Sequence, residues 1–150
     1  MDREMRRVED LMTTALVTVF EDDALDVANI EMEIGKLRHL PVVSREHPAQ
    51  LVGLVTHRDV LRAAGRAFVE RGASRERMLK QVPIGEVMRH RVETARPEET
   101  AVEAARRLLA RKIGCLPVVD EEGTLVGIVT EADFVRVAAD LLEESADETD

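Results

Sequence analysis

The chain has 150 residues, 45% of them hydrophobic, which suits one domain or two small, closely packed ones and excludes a disordered tail. Trp and Tyr are absent and Phe20, Phe68 and Phe134 are the only Phe, so the core is aliphatic and no base-stacking surface can be assembled. A formal net charge of −9 repels a phosphate backbone, which excludes nucleic acid as an expected partner.

The N-terminus, Met1 to Arg7, is charged and lacks the apolar core of a signal peptide. Ala15 to Phe20 is a short apolar stretch, and Glu21-Asp22-Asp23 forms an acidic turn suited to the positive end of a following helix, expected over 24–36. Two brief β-rich runs follow, Leu40–Val43 and Leu51–Val55, and a second helix is predicted from Thr56 to about Val69. The stretch from Glu70 to Val82 is too rich in Arg, Glu and Met for a flexible linker and reads as a partly helical bridge. The same order then recurs: Arg91–Ala95, a helix over 100–112, runs at Leu116–Val119 and Leu125–Val129, and a helix from Thr130 to about Glu143. Asp120-Glu121-Glu122-Gly123 is the hairpin signal between the last two runs. The acidic end, 143–150, reads as a disordered, solvated tail.

This is an internal duplication. Leu40-Pro41-Val42-Val43 returns as Leu116-Pro117-Val118-Val119, and Leu51-Val52-Gly53-Leu54-Val55-Thr56 as Leu125-Val126-Gly127-Ile128-Val129-Thr130. Met12 matches Met88, Thr18 matches Thr94 and Ala28 matches Ala104, at an offset of about 75 residues. The expected organisation is one βαββα copy over 8–69, a bridge over 70–83, a second copy over 84–142 and the tail. Neither copy alone has much area to bury, so the two are expected to share a core about a pseudo-twofold axis.

The chemistry-bearing pattern is Gly-x-x-Thr-x-x-Asp, at Gly53, Thr56 and Asp59 and again at Gly127, Thr130 and Asp133. A strand ends there and a helix begins, so the first helical N–H groups offer donors to an anion. The Thr hydroxyl can bond a phosphate, the Asp both hydroxyls of a ribose, and the Gly leaves room for a ligand to approach the backbone. Thr-x-x-Asp at a helix start is equally a capping box, in which Thr caps the helix and the acid reaches back. The residues alone leave both readings open.

The βαββα order, the Leu-Pro-Val-Val strand and the Gly-x-x-Thr-x-x-Asp ending resemble a tandem pair of cystathionine-β-synthase (CBS) domains over residues 8 to 142. The resemblance implies an α/β (α+β) Bateman module, two repeats packed sheet to sheet, that binds an adenine nucleotide (AMP, ADP or ATP) or a related adenosyl compound, with Mg2+ as an optional companion. It implies Asp59 and Asp133 as ribose holders and Thr56 and Thr130 as phosphate contacts. Adenine walls would come from Met12 to Val17, including Thr13 and Val17, with Pro41 and Val42, and from Met88 to Val92 with Pro117 and Val118. Basic residues in such modules reach phosphates, and here Arg38, His39, His57 and Arg58 serve the first copy. The second copy has Gly114, Cys115, Glu131 and Ala132 at those places, and Glu131 would repel a polyphosphate, so the Thr56/Asp59 cleft is expected to be the better anion site.

The implied function is a non-catalytic regulatory sensor that signals to a separate, unidentified protein. Such modules pair into homodimers through helix faces, here Ala63, Ala64, Phe68, Val135, Ala138 and Leu142. A structural dimerisation adaptor with vestigial clefts is the alternative. An enzyme is disfavoured, because no general base, metal cluster or phosphate-binding Lys loop is identifiable. The four His residues lack ligand spacing, Ser44 and Ser74 lack a nucleophile motif, and Met5, Met12, Met32, Met78 and Met88 read as core fillers. Cys115, the lone cysteine, reads as a small buried residue in a reducing, cytoplasmic setting, and no apolar run reaches the roughly 20 residues that span a bilayer.

Overall fold

The computed structural model describes residues 6–148. In chain order these form α1 (Val8–Leu11), β1 (Val19–Phe20), α2 (Leu25–Gly35), β2 (His39–Val43), β3 (Leu51–Thr56), α3 (His57–Arg71), α4 (Arg75–Gln81), α5 (Ile84–Val87), α6 (Ala101–Arg111), β4 (Cys115–Val119), β5 (Leu125–Thr130) and α7 (Glu131–Asp147). The fold is α+β with two small sheets, one of three strands ordered β1-β2-β3 and one of two, β4-β5. Among the described residues no helix is long and apolar enough to cross a membrane.

The chain divides into two compact units, and neither is continuous. The first unit is Val17–Val92 with Gly123–Leu125. The second joins the described residues up to Leu16 to Glu93–Glu122 and to the chain from Val126 onward. The segment that opens each sequence copy thus completes the unit built on the other copy.

In the first unit β2 is central, parallel to β1 (Val19↔Val42) and antiparallel to β3 (His39↔Thr56, Pro41↔Leu54). Its core is aliphatic as expected, with Leu25, Leu40, Val42, Val55, Val60 and Ile84 fully buried. Each such side chain contributes about 1.5–3 kcal/mol by leaving water. The bridge carries a helix, α4, whose Met78 and Leu79 are buried in this core.

The second unit repeats the plan. Ala95 lies parallel beside Val118 as Val19 does beside Val42, and Val8, Ala104, Leu108, Leu116, Val118 and Val129 form the core. The stretches that open each copy are less regular than expected: β1 is only Val19–Phe20, and of Arg91–Ala95 only Ala95 makes a bridge. The helix ends agree closely with their signals. Both α2 and α6 stop at a left-handed lysine, Lys36 and Lys112, and Leu37 and Ile113 donate back to Met32 and Leu108 to close the turn.

The disordered tail expected from 143 is corrected. Helix α7 continues to Asp147, because Leu141-Leu142-Glu143-Glu144 are good helix formers with no Gly or Pro to stop them. The rest of that expectation, residues 149–150, lies outside the described residues, as does Met5.

Candidate functional site

Each Gly-x-x-Thr-x-x-Asp pattern sits where a strand becomes a helix, β3 into α3 and β5 into α7. The glycines are explained by a neighbouring segment, which corrects the expectation that they leave room for a ligand. A Cβ on Gly53 would lie 2.5 Å from the Met88 sulfur and 2.9 Å from the Arg89 carbonyl oxygen. A Cβ on Gly127 would lie 2.6 Å from the Met12 sulfur and 3.1 Å from the Thr13 carbonyl oxygen. Both segments are held by paired backbone bonds: Arg89 and Leu54 exchange N–H···O bonds of 2.8 and 3.0 Å, and Thr13 and Ile128 exchange bonds of 2.9 and 3.0 Å.

The residues expected as adenine walls are distributed over the two units. Met12 and Thr13 join Gly127, Thr130 and Asp133 in the second unit, and Met88 and Arg89 join Gly53, Thr56 and Asp59 in the first. Val17 and Val92 belong to the first unit, and Thr13, Pro117 and Val118 to the second. Periodicity within one copy does not say which strand edge a segment joins. Val42 and Val118 are fully buried in the two cores and Pro41 and Pro117 are buried in β2 and β4, so these valines serve the cores first.

A capping box forms at both helix starts. In the first unit the Thr56 hydroxyl accepts from the Asp59 N–H at 3.1 Å, and Asp59 Oδ2 accepts from the Thr56 N–H at 3.1 Å. In the second, Asp133 Oδ2 accepts from the Thr130 N–H at 2.7 Å and from the Thr130 hydroxyl at 3.3 Å. Both carboxylates are buried, at 9% and 5% exposure, and such groups must be paired. Each box uses Oδ2. The other oxygen, Oδ1, faces an arginine that sequence reasoning did not single out.

Those arginines differ. Asp133 Oδ1 accepts from Arg136 Nη1 at 2.8 Å, a pair one turn along the same helix. Asp59 has Arg62 at the matching helix position, yet it pairs with Arg89, thirty residues away, through Nη2–Oδ1 and Nε–Oδ2 distances of 3.5 Å. The sequence holds one signal for this: Met88-Arg89 stands where the first copy has Met12-Thr13.

The surroundings differ in charge as well. The His57 N–H donates to the Arg38 carbonyl at 2.9 Å and His39 is the strand partner of Thr56. The first junction is therefore flanked by Arg38 and His39 on the β2 side and by Arg89 on the other edge of β3, with His57 and Arg58 exposed on α3. At the second junction the Glu131 N–H donates to Gly114, Cys115 is buried, and Thr13 takes the other edge. The first junction gathers more cationic side chains than the second, where Arg136 is paired with Asp133.

A family model, the CBS domain, matches the chain twice, over residues 8–66 and 84–140. The chain is similar to a CBS domain-containing protein of Dictyostelium discoideum, 31% identical over 91% of this chain and 93% of that one. It is similar to the structure of CBSX2 in complex with AMP, with a TM-score of 0.74 and 29% identity over 91% of this chain and 98% of that chain. It is also similar to the CBS domain pair of protein MJ0100, solved with 5′-methylthioadenosine and S-adenosyl-L-methionine, with a TM-score of 0.74 and 26% identity over 87% and 98% of the two chains. Some relatives are much longer: the chain spans 24% of a homoserine O-acetyltransferase of Methanohalobium evestigatum at 33% identity.

Proposed function

The chain belongs to the CBS domain family, with two copies of the domain, and from that premise we propose that it is a non-catalytic regulatory module that binds adenine nucleotides or related adenosyl compounds. The observation that carries this reading is the division of labour within each aspartate. Oδ2 completes the helix cap while, among the described residues, the side-chain partner of Oδ1 is an arginine with a half-exposed or exposed side chain, so a ribose hydroxyl can take Oδ1 without undoing the helix. Thr56 supports it, because its hydroxyl accepts within the box and keeps its own proton to donate to a phosphate. The AMP complex of CBSX2 and the adenosyl complexes of the MJ0100 pair support the ligand class.

The Thr56/Asp59 site is the better anion site of the two, on the strength of Arg38, His39, His57, Arg58 and Arg89 around it. Helices α3 and α7 carry exposed apolar side chains, Phe68 and Leu142 at 70% exposure and Val135 at 67%, and these form the contact of a homodimer. The ligand state passes to a separate partner protein through the different affinity of two packing states for the ligand.

A thermal-shift panel of AMP, ADP, ATP with and without Mg2+, and S-adenosylmethionine tests the reading. A ligand at 100 times its Kd stabilises the chain by about 2.7 kcal/mol, and the shift falls in Asp59→Ala. No shift with any adenosyl compound would leave the module a structural adaptor.

A further inference from the structure

We infer that Arg89 is a transferable counter-ion that makes the Thr56/Asp59 site selective for phosphorylated over unphosphorylated adenosyl ligands, a conclusion that rests on the ligand class proposed above. Three observations lead there. The Arg89–Asp59 contacts are long, 3.5 Å at both nitrogens, where the Arg136–Asp133 contact is 2.8 Å. The Arg89 backbone is fixed by its two bonds to Leu54, while its side chain is 48% exposed over an aspartate side chain that is 10% exposed. Finally, the pair crosses from one edge of the sheet to the helix, so the guanidinium can leave without disturbing α3.

A ribose that takes Asp59 Oδ1 must displace Arg89. A phosphorylated ligand then offers the freed guanidinium a new anion in place of the carboxylate, and a planar fork suits phosphate oxygens. An unphosphorylated nucleoside displaces the same pair and offers no replacement. The exposed neighbours Arg38, His57 and Arg58 add positive potential without being tied to Asp59. At the second site the matching residue is Thr13, uncharged, and Asp133 is held by an arginine of its own helix. That site has no cation to transfer from the sheet edge.

The experiment compares AMP with adenosine by calorimetry on the full chain carrying Asp133→Asn, which silences the second ribose contact and keeps a capping oxygen. AMP should bind at least about tenfold tighter than adenosine. In Arg89→Ala the AMP affinity should fall about tenfold, while adenosine, freed from competition with the ion pair, should bind about two- to threefold tighter. Arg89→Lys should retain part of the preference. Because the two ligands move in opposite directions, partial unfolding of a variant cannot imitate the result. An equal change for both ligands, or none for either, overturns the role of Arg89 and leaves the proposed function intact. Failure of the chain to bind AMP overturns this inference, and the proposed function falls with it when no adenosyl compound of the thermal-shift panel binds either.

Discussion

Asp59 caps its helix with Oδ2 and turns Oδ1, the proposed ribose acceptor, to Arg89, and a pair of substitutions separates the two oxygens. In Asp59→Asn the amide keeps an oxygen that can accept from the Thr56 N–H, so the cap survives, as a Gln serves in place of Glu at the third position of a capping box. What is lost is the ion pair with Arg89, which is long and half-exposed and so contributes about 0–1 kcal/mol. In Asp59→Ala the cap acceptor goes too. The part-buried Thr56 N–H is then left without this acceptor, which costs about 1.5 kcal/mol. Urea titration should therefore place Asp59→Ala about 1.5 kcal/mol below Asp59→Asn, with equal slopes. Ligand binding should rank them differently: both variants lack the charged ribose acceptor, so both should lose about tenfold in AMP affinity. If Asp59→Asn is as unstable as Asp59→Ala, or binds AMP as tightly as the unsubstituted chain, the separation of the two oxygens is wrong.

Glycine substitutions should differ in sign. Gly53→Ala and Gly127→Ala push a Cβ onto a methionine sulfur and a carbonyl, and each should cost about 1–3 kcal/mol by urea titration, whereas Gly65→Ala in α3 meets nothing within 4 Å and should gain about 0.5–1 kcal/mol. The Arg45 guanidinium hydrogen-bonds Asp22 and holds its carboxyl below the usual aspartate range, with the Arg45 charge adding to the effect. The pair therefore stabilises the fold at neutral pH and that contribution is lost as pH falls through the lowered value. A carbon-13 NMR titration should show the low midpoint, and Arg45→Gln should return it to the ordinary range. Phe68→Asp and Leu142→Asp should each convert the proposed homodimer to a monomer in sedimentation velocity without loss of helix content; unchanged sedimentation would remove these faces from the contact.

The regular elements were legible because their signals are local. Leu40–Val43 and Leu51–Val55 carry β-rich runs, Gly72 and Gly123 take the left-handed turns their positions demand, and the second helix of each copy begins beside its Thr-x-x-Asp box. The short helices α1 and α5 escaped notice, since four residues show no helical period. Nor could periodicity say that Met12 fills the notch at Gly127, because a strand edge accepts any extended segment of matching shape. The site was legible in its halves. Thr56 and Asp59 were evident from the motif, and of the two readings open in the sequence the structure forms the capping box, on Oδ2, with Oδ1 turned to Arg89. Arg89 was hidden by its distance along the chain and by a neighbourhood, Arg89-His90-Arg91, that reads as ordinary surface charge.

A polypeptide holding one copy alone would keep its glycine notch and lack the methionine that plugs it, because the plug of each notch is encoded in the opening segment of the other copy. Two such half-length chains that traded opening segments would fill each other's notches, which is domain swapping, and the tandem chain makes the same exchange within one polypeptide. A cut in the exposed turn at Gly72 would reverse the fusion. The two fragments would each carry one notch and the other's plug, and should reassemble when mixed.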